Sequence, residues 1–366
     1  MTYPIYIQNN WASLPASLSQ ANFIGRKAFI GADRNIADLY LADVKAALSP
    51  AFADMPQFIL PPGEAEKNLE NTAALLTSFQ NAGLDRHSVV IALGGGVVSD
   101  IAGFAASIYM RGISYVSLPT TLLAMSDSSI GGKTGIDFAG TKNLVGSFHN
   151  PGLVYINLAA LKTLDAAQYI SGLAEVIKYG IILDDSLFDY ISANRADIAA
   201  RSPIALERLV GDSVRIKSEI VAADEKEAGL RQILNYGHTF GHAIESLCGF
   251  SLPHGHCVAL GMVCAANFSH NMGGMSLHHV EHIRNLIEFF GLPAKLPASY
   301  GITADDIYGM MLKDKKAKDG ALTLIISHKI GTVEIVENAK KKDAVKAIKS
   351  IMQGRPVVAR NMKETP

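Results

Sequence analysis

Along the first 160 residues, short runs of consecutive apolar positions recur at intervals that leave room for a helix between them. Lys27–Ile30, Gln57–Leu60, Ser88–Leu93, Tyr115–Leu118 and Leu153–Ile156 read as strands, and Asn68–Asn81 reads as a helix. The runs are continuous rather than alternating, which marks strands covered on both faces and therefore a parallel sheet between helices. Beyond about Leu161 the apolar positions fall at helical spacing instead. Ala174–Ile182, Ser202–Ile220, His238–Leu247, Cys257–Ser269 and His279–Phe290 all read as helices. Leu322–Ile326 and Thr332–Val336, separated by His328 to Gly331, predict a small hairpin, and the Lys-rich stretch from Lys340 predicts a solvated helix face. The pattern therefore predicts an α/β domain over residues 1–160 and a mainly α-helical domain over residues 161–366.

A length of 366 residues suits two domains, and 49% hydrophobic against 18% charged residues excludes a disordered chain. With 33 Lys plus Arg against 34 Asp plus Glu, the net charge of -1 gives no electrostatic reason to bind nucleic acid or an anionic membrane. Any basic site must be local. Cys248, Cys257 and Cys264 form no C-x-x-C pair and leave an odd thiol, which argues for a reducing compartment. The first residues lack the basic-then-apolar pattern of a secretory signal, and no apolar run approaches the roughly 20 residues of a membrane helix. A cytoplasmic protein with no nucleic-acid or membrane partner is expected.

Three groups of residues could carry chemistry. Gly94-Gly95-Gly96 follows directly on a predicted strand, where glycines let backbone N–H groups approach a phosphate and the next helix offers its N-terminus. The strict G-x-G-x-x-G fingerprint is absent, since Ser99 stands at its third glycine, so the glycines could equally serve a tight turn alone. Pro61-Pro62-Gly63-Glu64, with Lys67, could close on the same ligand. Second, four of the 11 histidines, His238, His242, His254 and His256, fall within a short span. His238 and His242 stand at i, i+4 on one helix face, a metal-binding spacing, but no glutamate follows the first histidine as a zincin requires. A third protein ligand would be needed, and Glu175, in an otherwise apolar segment, is a candidate; its plainer role would be an ion pair with Lys178. Third, Arg111, Lys133, Lys142, Asn143, Lys178, Lys217, Arg231 and Asn235 sit in glycine-rich or apolar surroundings. Lys133 lies in Asp127-Ser128-Ser129-Ile130-Gly131-Gly132-Lys133, which suits an anion but lacks Walker A spacing, because Asp127 occupies the place of the first glycine.

These blocks together resemble the 3-dehydroquinate synthase family. The resemblance runs from about Pro4 to Val336. It is carried by Pro62-Gly63-Glu64 with Lys67, Ala92 to Asp100, Leu118 to Ala124, Asp127 to Gly135, Lys142-Asn143, Gly172 to Lys178, Asp224-Glu225 through Arg231, Leu234 to Glu245, and His254-Gly255. It implies an N-terminal NAD-binding α/β domain with a parallel sheet and a mainly α-helical metal-binding C-terminal domain. The activity implied is conversion of 3-deoxy-D-arabino-heptulosonate 7-phosphate to 3-dehydroquinate and phosphate, in the shikimate pathway. NAD-dependent oxidation, β-elimination, reduction and an intramolecular aldol make up that reaction. By the same resemblance, Glu175, His238 and His254 match ligands of one divalent metal, zinc or cobalt. His242 and Lys178 match residues near the departing phosphate. Asp127, Arg111, Lys133, Asn143, Lys217, Arg231 and Asn235 match the rest of the catalytic and substrate-binding set. Asp33, Glu64, Lys67, Gly95, Gly96, Val97, Asp100, Thr120, Thr121 and Lys142 match NAD contacts.

The substrate implied is a phosphorylated sugar acid, and a homodimer is expected from the family. One departure stands out: many relatives read His-Gly-Glu where this chain has His254-Gly255-His256, so His256 could compete with His254 for the metal. Which of Lys315 and Lys316 enters the site is left open, as are the metal and the extent of domain closure. A sibling sugar-phosphate cyclase and a glycerol dehydrogenase-type polyol dehydrogenase are the competing functions. A non-catalytic scaffold is disfavoured by the full set of ligands.

Overall fold

The computed structural model describes residues 3–227, 229–313 and 322–352. Contacts group the chain into two compact units, Met1–Gly180 with Asp185–Gln232, and Ile181–Asp184 with Ile233–Pro366.

The first unit is built on a six-stranded sheet formed by β1 (Ile5–Gln8), β2 (Ala28–Asp33), β3 (Gln57–Leu60), β4 (Val89–Gly94), β5 (Ser114–Pro119) and, after the hairpin β6 (Lys133–Phe138) and β7 (Thr141–Phe148), β8 (Leu153–Asn157). Their order is β1-β8-β5-β4-β2-β3, and every neighbouring pair is parallel. Alternate residues of β4 show why the run had to be continuous. Val89, Ile91 and Leu93 pack on one face with Trp11, Leu14, Leu18 and Val44, while Val90 and Ala92 pack on the other with Phe29, Phe79 and Ile101. Both faces of the sheet are covered by helices, as the sequence predicts for a parallel α/β layer. After β2 the chain moves to β3 on one side, then crosses over to β4 and continues to β5 on the other. The order therefore reverses between β2 and β4, and in open parallel sheets ligands bind outside the carboxyl ends of the strands at such a point. The helices Ala166–Ile182, up to Gly180, and Pro203–Ala223 belong to this same unit.

The second unit is mainly helical, with β9 (Leu324–Lys329) and β10 (Thr332–Val336) forming the predicted antiparallel hairpin. Its central helix, His254–Asn271, is buried on nearly every side from Gly255 to Ser269, the behaviour of a helix apolar all round. Among the described residues, no helix is long and apolar enough to cross a membrane.

Candidate active site

At the carboxyl end of β4, Gly95 leads into the helix Gly96–Ile108, so the half-buried Gly95, Gly96 and Val97 form its entry turn. A Cβ at Gly95 would press on Thr121 at 3.0 Å, and one at Gly96 would approach the Ser128 hydroxyl at 3.2 Å. The cradle is therefore already as narrow as a backbone can make it. Thr120, which donates its N–H to the Gly94 carbonyl at 3.0 Å, has a buried hydroxyl oxygen without a partner, and so does Ser128. Buried hydroxyls without partners cost free energy unless a ligand meets them. Asp33 ends β2 on the other side of the reversal and caps the next turn by accepting from the Ile36 N–H at 3.1 Å; burial raises its carboxyl above the ordinary range. Lys67 ties the edge of this region together. Its ammonium lies 2.6 Å from Asp100 and 3.9 Å from Glu64, and also donates to the Asn143 side chain, while Lys142 reaches Glu64 at 4.0 Å. Thus Asp33, Glu64, Lys67, Gly95, Gly96, Val97, Asp100, Thr120, Thr121 and Lys142 all lie on loops or helix starts at one end of the sheet or on the β6–β7 hairpin joined to it by Lys67. An acceptor, donors and a helix N-terminus grouped in this way fit a dinucleotide.

A second cluster surrounds Asp127. Its carboxylate accepts from Lys217 at 2.6 Å and from the hydroxyl of Tyr179, while Lys178 pairs with Glu175 one helical turn away. Glu175, Lys178 and Tyr179 lie on the buried face of Ala166–Ile182, and Lys217 lies on Pro203–Ala223. Burial alone would raise the Asp127 carboxyl, but Lys217 and Lys178 outweigh it and hold it at about 2. Burial also pulls Lys217 down, against the attraction of Asp127. Sequence reasoning missed Tyr179. Its signal was a tyrosine in an otherwise apolar helical stretch, since a buried phenol needs a partner.

Arg231 follows in the turn Leu230–Asn235, after the helix that carries Lys217. It is buried, 1% exposed, and is gripped through backbone carbonyls: Nη1 donates to Glu225 O at 2.5 Å and Nη2 to Gly131 O at 3.2 Å. Its Nε–H is buried without a partner. The carbonyls that hold this guanidinium are neutral and leave its charge in place, which suits an anion. The remaining predicted residues of this unit are less gathered. Lys133 is exposed and pairs with Glu227, and Asn143 turns through a positive φ on β7 with its N–H on Asp137 at 2.8 Å. Arg111 is exposed on the turn that enters β5, at the amino end of the sheet, opposite the glycine turn.

In the helical unit, His238, His242 and His254 converge. One ring nitrogen from each lies within 4.8 Å of the others, and ring centroids are 5.2 to 5.8 Å apart. The two helices that carry them, His238–Leu247 and His254–Asn271, can approach only because of glycines: a Cβ at Gly261 would fall 1.9 Å from the Gly237 carbonyl oxygen. His238 Nδ1 faces the Tyr236 carbonyl at 3.2 Å and His254 Nδ1 faces the Glu245 carboxylate at 3.4 Å. Such partners leave Nε2 of His238 and His254 as the ligand atoms, so this pair fits a divalent transition metal, and His242 brings a third imidazole beside it. His256 is not among the three; it is half-buried and its Nδ1 has no partner. Asn235 lies in the turn Leu230–Asn235 just before them. Glu175 belongs to the sheet-bearing unit, and Lys315 and Lys316 lie outside the described residues.

Family models described as 3-dehydroquinate synthase N-terminal and C-terminal match residues 57–171 and 172–317. A 3-dehydroquinate synthase of Acetivibrio thermocellus is 42% identical over 91% of both chains. The chain belongs to the 3-dehydroquinate synthase family. Another member, from Symbiobacterium thermophilum, is 42% identical over 94% of this chain and 96% of its own. Among solved structures, the 2-epi-5-epi-valiolone synthase of Streptomyces hygroscopicus subsp. jinggangensis, with NAD+ and Zn2+ bound, superposes with a TM-score of 0.86. It is 27% identical and covers 96% of this chain and 97% of its own.

Proposed function

We infer that this chain carries 3-dehydroquinate synthase activity, a phosphate-eliminating carbon-oxygen lyase reaction on 3-deoxy-D-arabino-heptulosonate 7-phosphate. The observation that carries this is the 42% identity over 91% of both chains to a synthase of that name. The lower identity to the valiolone cyclase, 27%, disfavours a sibling cyclase. Residues 1–160 supply the NAD-binding groups and residues 161–366 most of the metal- and substrate-binding groups. The dinucleotide is held by Asp33, Glu64, Lys67, Gly95, Gly96, Val97, Asp100, Thr120, Thr121 and Lys142. By family correspondence, Glu175, His238 and His254 hold one divalent metal, zinc or cobalt. When bound, these groups supply hydride acceptance and return and polarisation of the reacting hydroxyl.

The chain's own residues do the rest. Arg231 and Lys217 hold anionic groups of the substrate, assisted by Lys133, Asn143 and Asn235, whereas Arg111, at the opposite end of the sheet, takes no part in this set. Asp127, kept ionised between two lysines, accepts hydrogen bonds from substrate hydroxyls. His242 moves a proton at an imidazole nitrogen as phosphate departs, and Lys178 offsets negative charge beside it. The molecule is a cytoplasmic homodimer whose partner is a small phosphorylated sugar acid. The test is a turnover assay with the heptulosonate phosphate and NAD in catalytic amount. One phosphate per substrate with no net rise in NADH absorbance is expected; stoichiometric NADH without phosphate would make the chain a polyol dehydrogenase.

A further inference from the structure

The N-terminal segment reaches the anion site by a route that the family correspondence does not include. Pro4 accepts from Val154 N–H at 3.1 Å and β1 then pairs with β8, so the segment ahead of β1 is fixed at its base. From there the half-buried Tyr3 places its hydroxyl oxygen 3.0 Å from the Gly131 N–H, which donates to it. The same residue, Gly131, accepts from Arg231 Nη2 through its carbonyl. Gly131 has φ +97°, and a Cβ there would lie 2.5 Å from Arg231 Nη2, so this peptide can adopt its position only as glycine. A glycine with that freedom does not hold a guanidinium in place by itself. Something must fix the turn, and the Tyr3 hydroxyl engages the N–H on one side of Gly131 while Arg231 takes the carbonyl on the other.

We propose that Tyr3 is a positioning residue for Arg231: by holding the Gly131 N–H it fixes the turn whose next carbonyl, that of Gly131, grips the guanidinium that binds the anionic group of the substrate. This rests on Arg231 binding that anion. Tyr3 does not touch reacting atoms, so removing its hydroxyl should act on binding rather than on chemistry. Tyr3→Phe is expected to raise KM for the heptulosonate phosphate about fivefold to tenfold, as one well-placed hydrogen bond would, with kcat changed less than about twofold. In an Arg231→Lys background, Tyr3→Phe should change KM less than about twofold, because the group it positions is gone. Melting of each variant is followed alongside: a merely structural Tyr3 would lower the midpoint and leave KM alone. An unchanged KM in Tyr3→Phe, or effects that multiply in the double variant, would overturn the proposal. If Arg231→Lys itself leaves KM unchanged, it is the anion role of Arg231 that fails. Should Arg231→Lys not fold, the KM and kcat of Tyr3→Phe decide alone.

Discussion

Asp127 shows how much a residue's meaning depends on what the fold brings to it. In the sequence it was conspicuous mainly for standing where a Walker A glycine would be; in the structure two lysines and a buried phenol converge on it. Its carboxyl falls from an ordinary 3.8 to about 2, so the stabilisation is fully present above pH 3.8 and is lost as pH falls through about 2. That depression corresponds to about 2 kcal/mol. Replacing one partner should cost more than replacing both. Asp127→Asn, which leaves Lys217 buried without its carboxylate, should destabilise by about 3 kcal/mol, and adding Lys217→Met should restore part of the loss, measured by denaturant unfolding. The histidines were easier to read, because i, i+4 spacing puts two on one face whatever the rest of the chain does. The motif position already favours His254 over His256, and it is His254 whose ring lies with those of His238 and His242. His238→Ala and His254→Ala should each lower bound zinc or cobalt and activity together, without rescue by added metal, whereas His256→Ala should leave metal content near that of the parent. Equal metal loss in His254→Ala and His256→Ala would reject His254 as the distinguishing ligand.

At the level of elements, the buried strands were legible and the wet ones were not. β2, β4, β5 and β8 lie within a few residues of their predicted bounds, because a strand covered on both faces must be apolar throughout, and the edge strand β3, with only Leu60 buried, coincides with its bounds through the apolar run Phe58-Ile59-Leu60. The β6–β7 hairpin escaped notice. Its two-residue turn is Ala139-Gly140, both at positive φ, and alanine there hides the Asn-Gly or Asp-Gly signature of such a turn. β1 was missed as well: its residues Ile5-Tyr6-Ile7-Gln8 are four long, none of them buried. The helix pair that carries the imidazoles depends on an absence of side chain that spacing alone does not reveal. Gly261→Ala would drive a methyl into the Gly237 carbonyl and force the helices apart. We expect at least a tenfold loss of cobalt affinity, read from the absorption of the bound ion, with about 2 kcal/mol of destabilisation or more. Wild-type cobalt binding in a folded Gly261→Ala protein would show that close packing is not what gathers the three rings.

For the whole molecule, the two-part plan of parallel sheet and helical remainder was legible because the apolar period changes once, and the change survives any error in individual boundaries. What periodicity could not show is how contacts apportion the helices, since Pro203–Ala223 reads like any other amphipathic helix yet packs with the sheet-bearing unit. Strand order was equally hidden, and it has a consequence for the birth of the protein. β1 precedes the other strands of this sheet along the chain, but among the described residues it pairs with β8, with Ile5 opposite Val154. On a ribosome β1 must therefore wait for its partner while the other five strands of this sheet are made and the last of them, β8, emerges. Loop closure over that span is costly and slow compared with the local crossovers that build β2, β3, β4 and β5. The centre of the sheet can thus collapse long before its N-terminal edge, and Tyr3 reaches Gly131 only in that late step. The contact of Tyr3 with Gly131 thus marks the closing of the sheet's last edge.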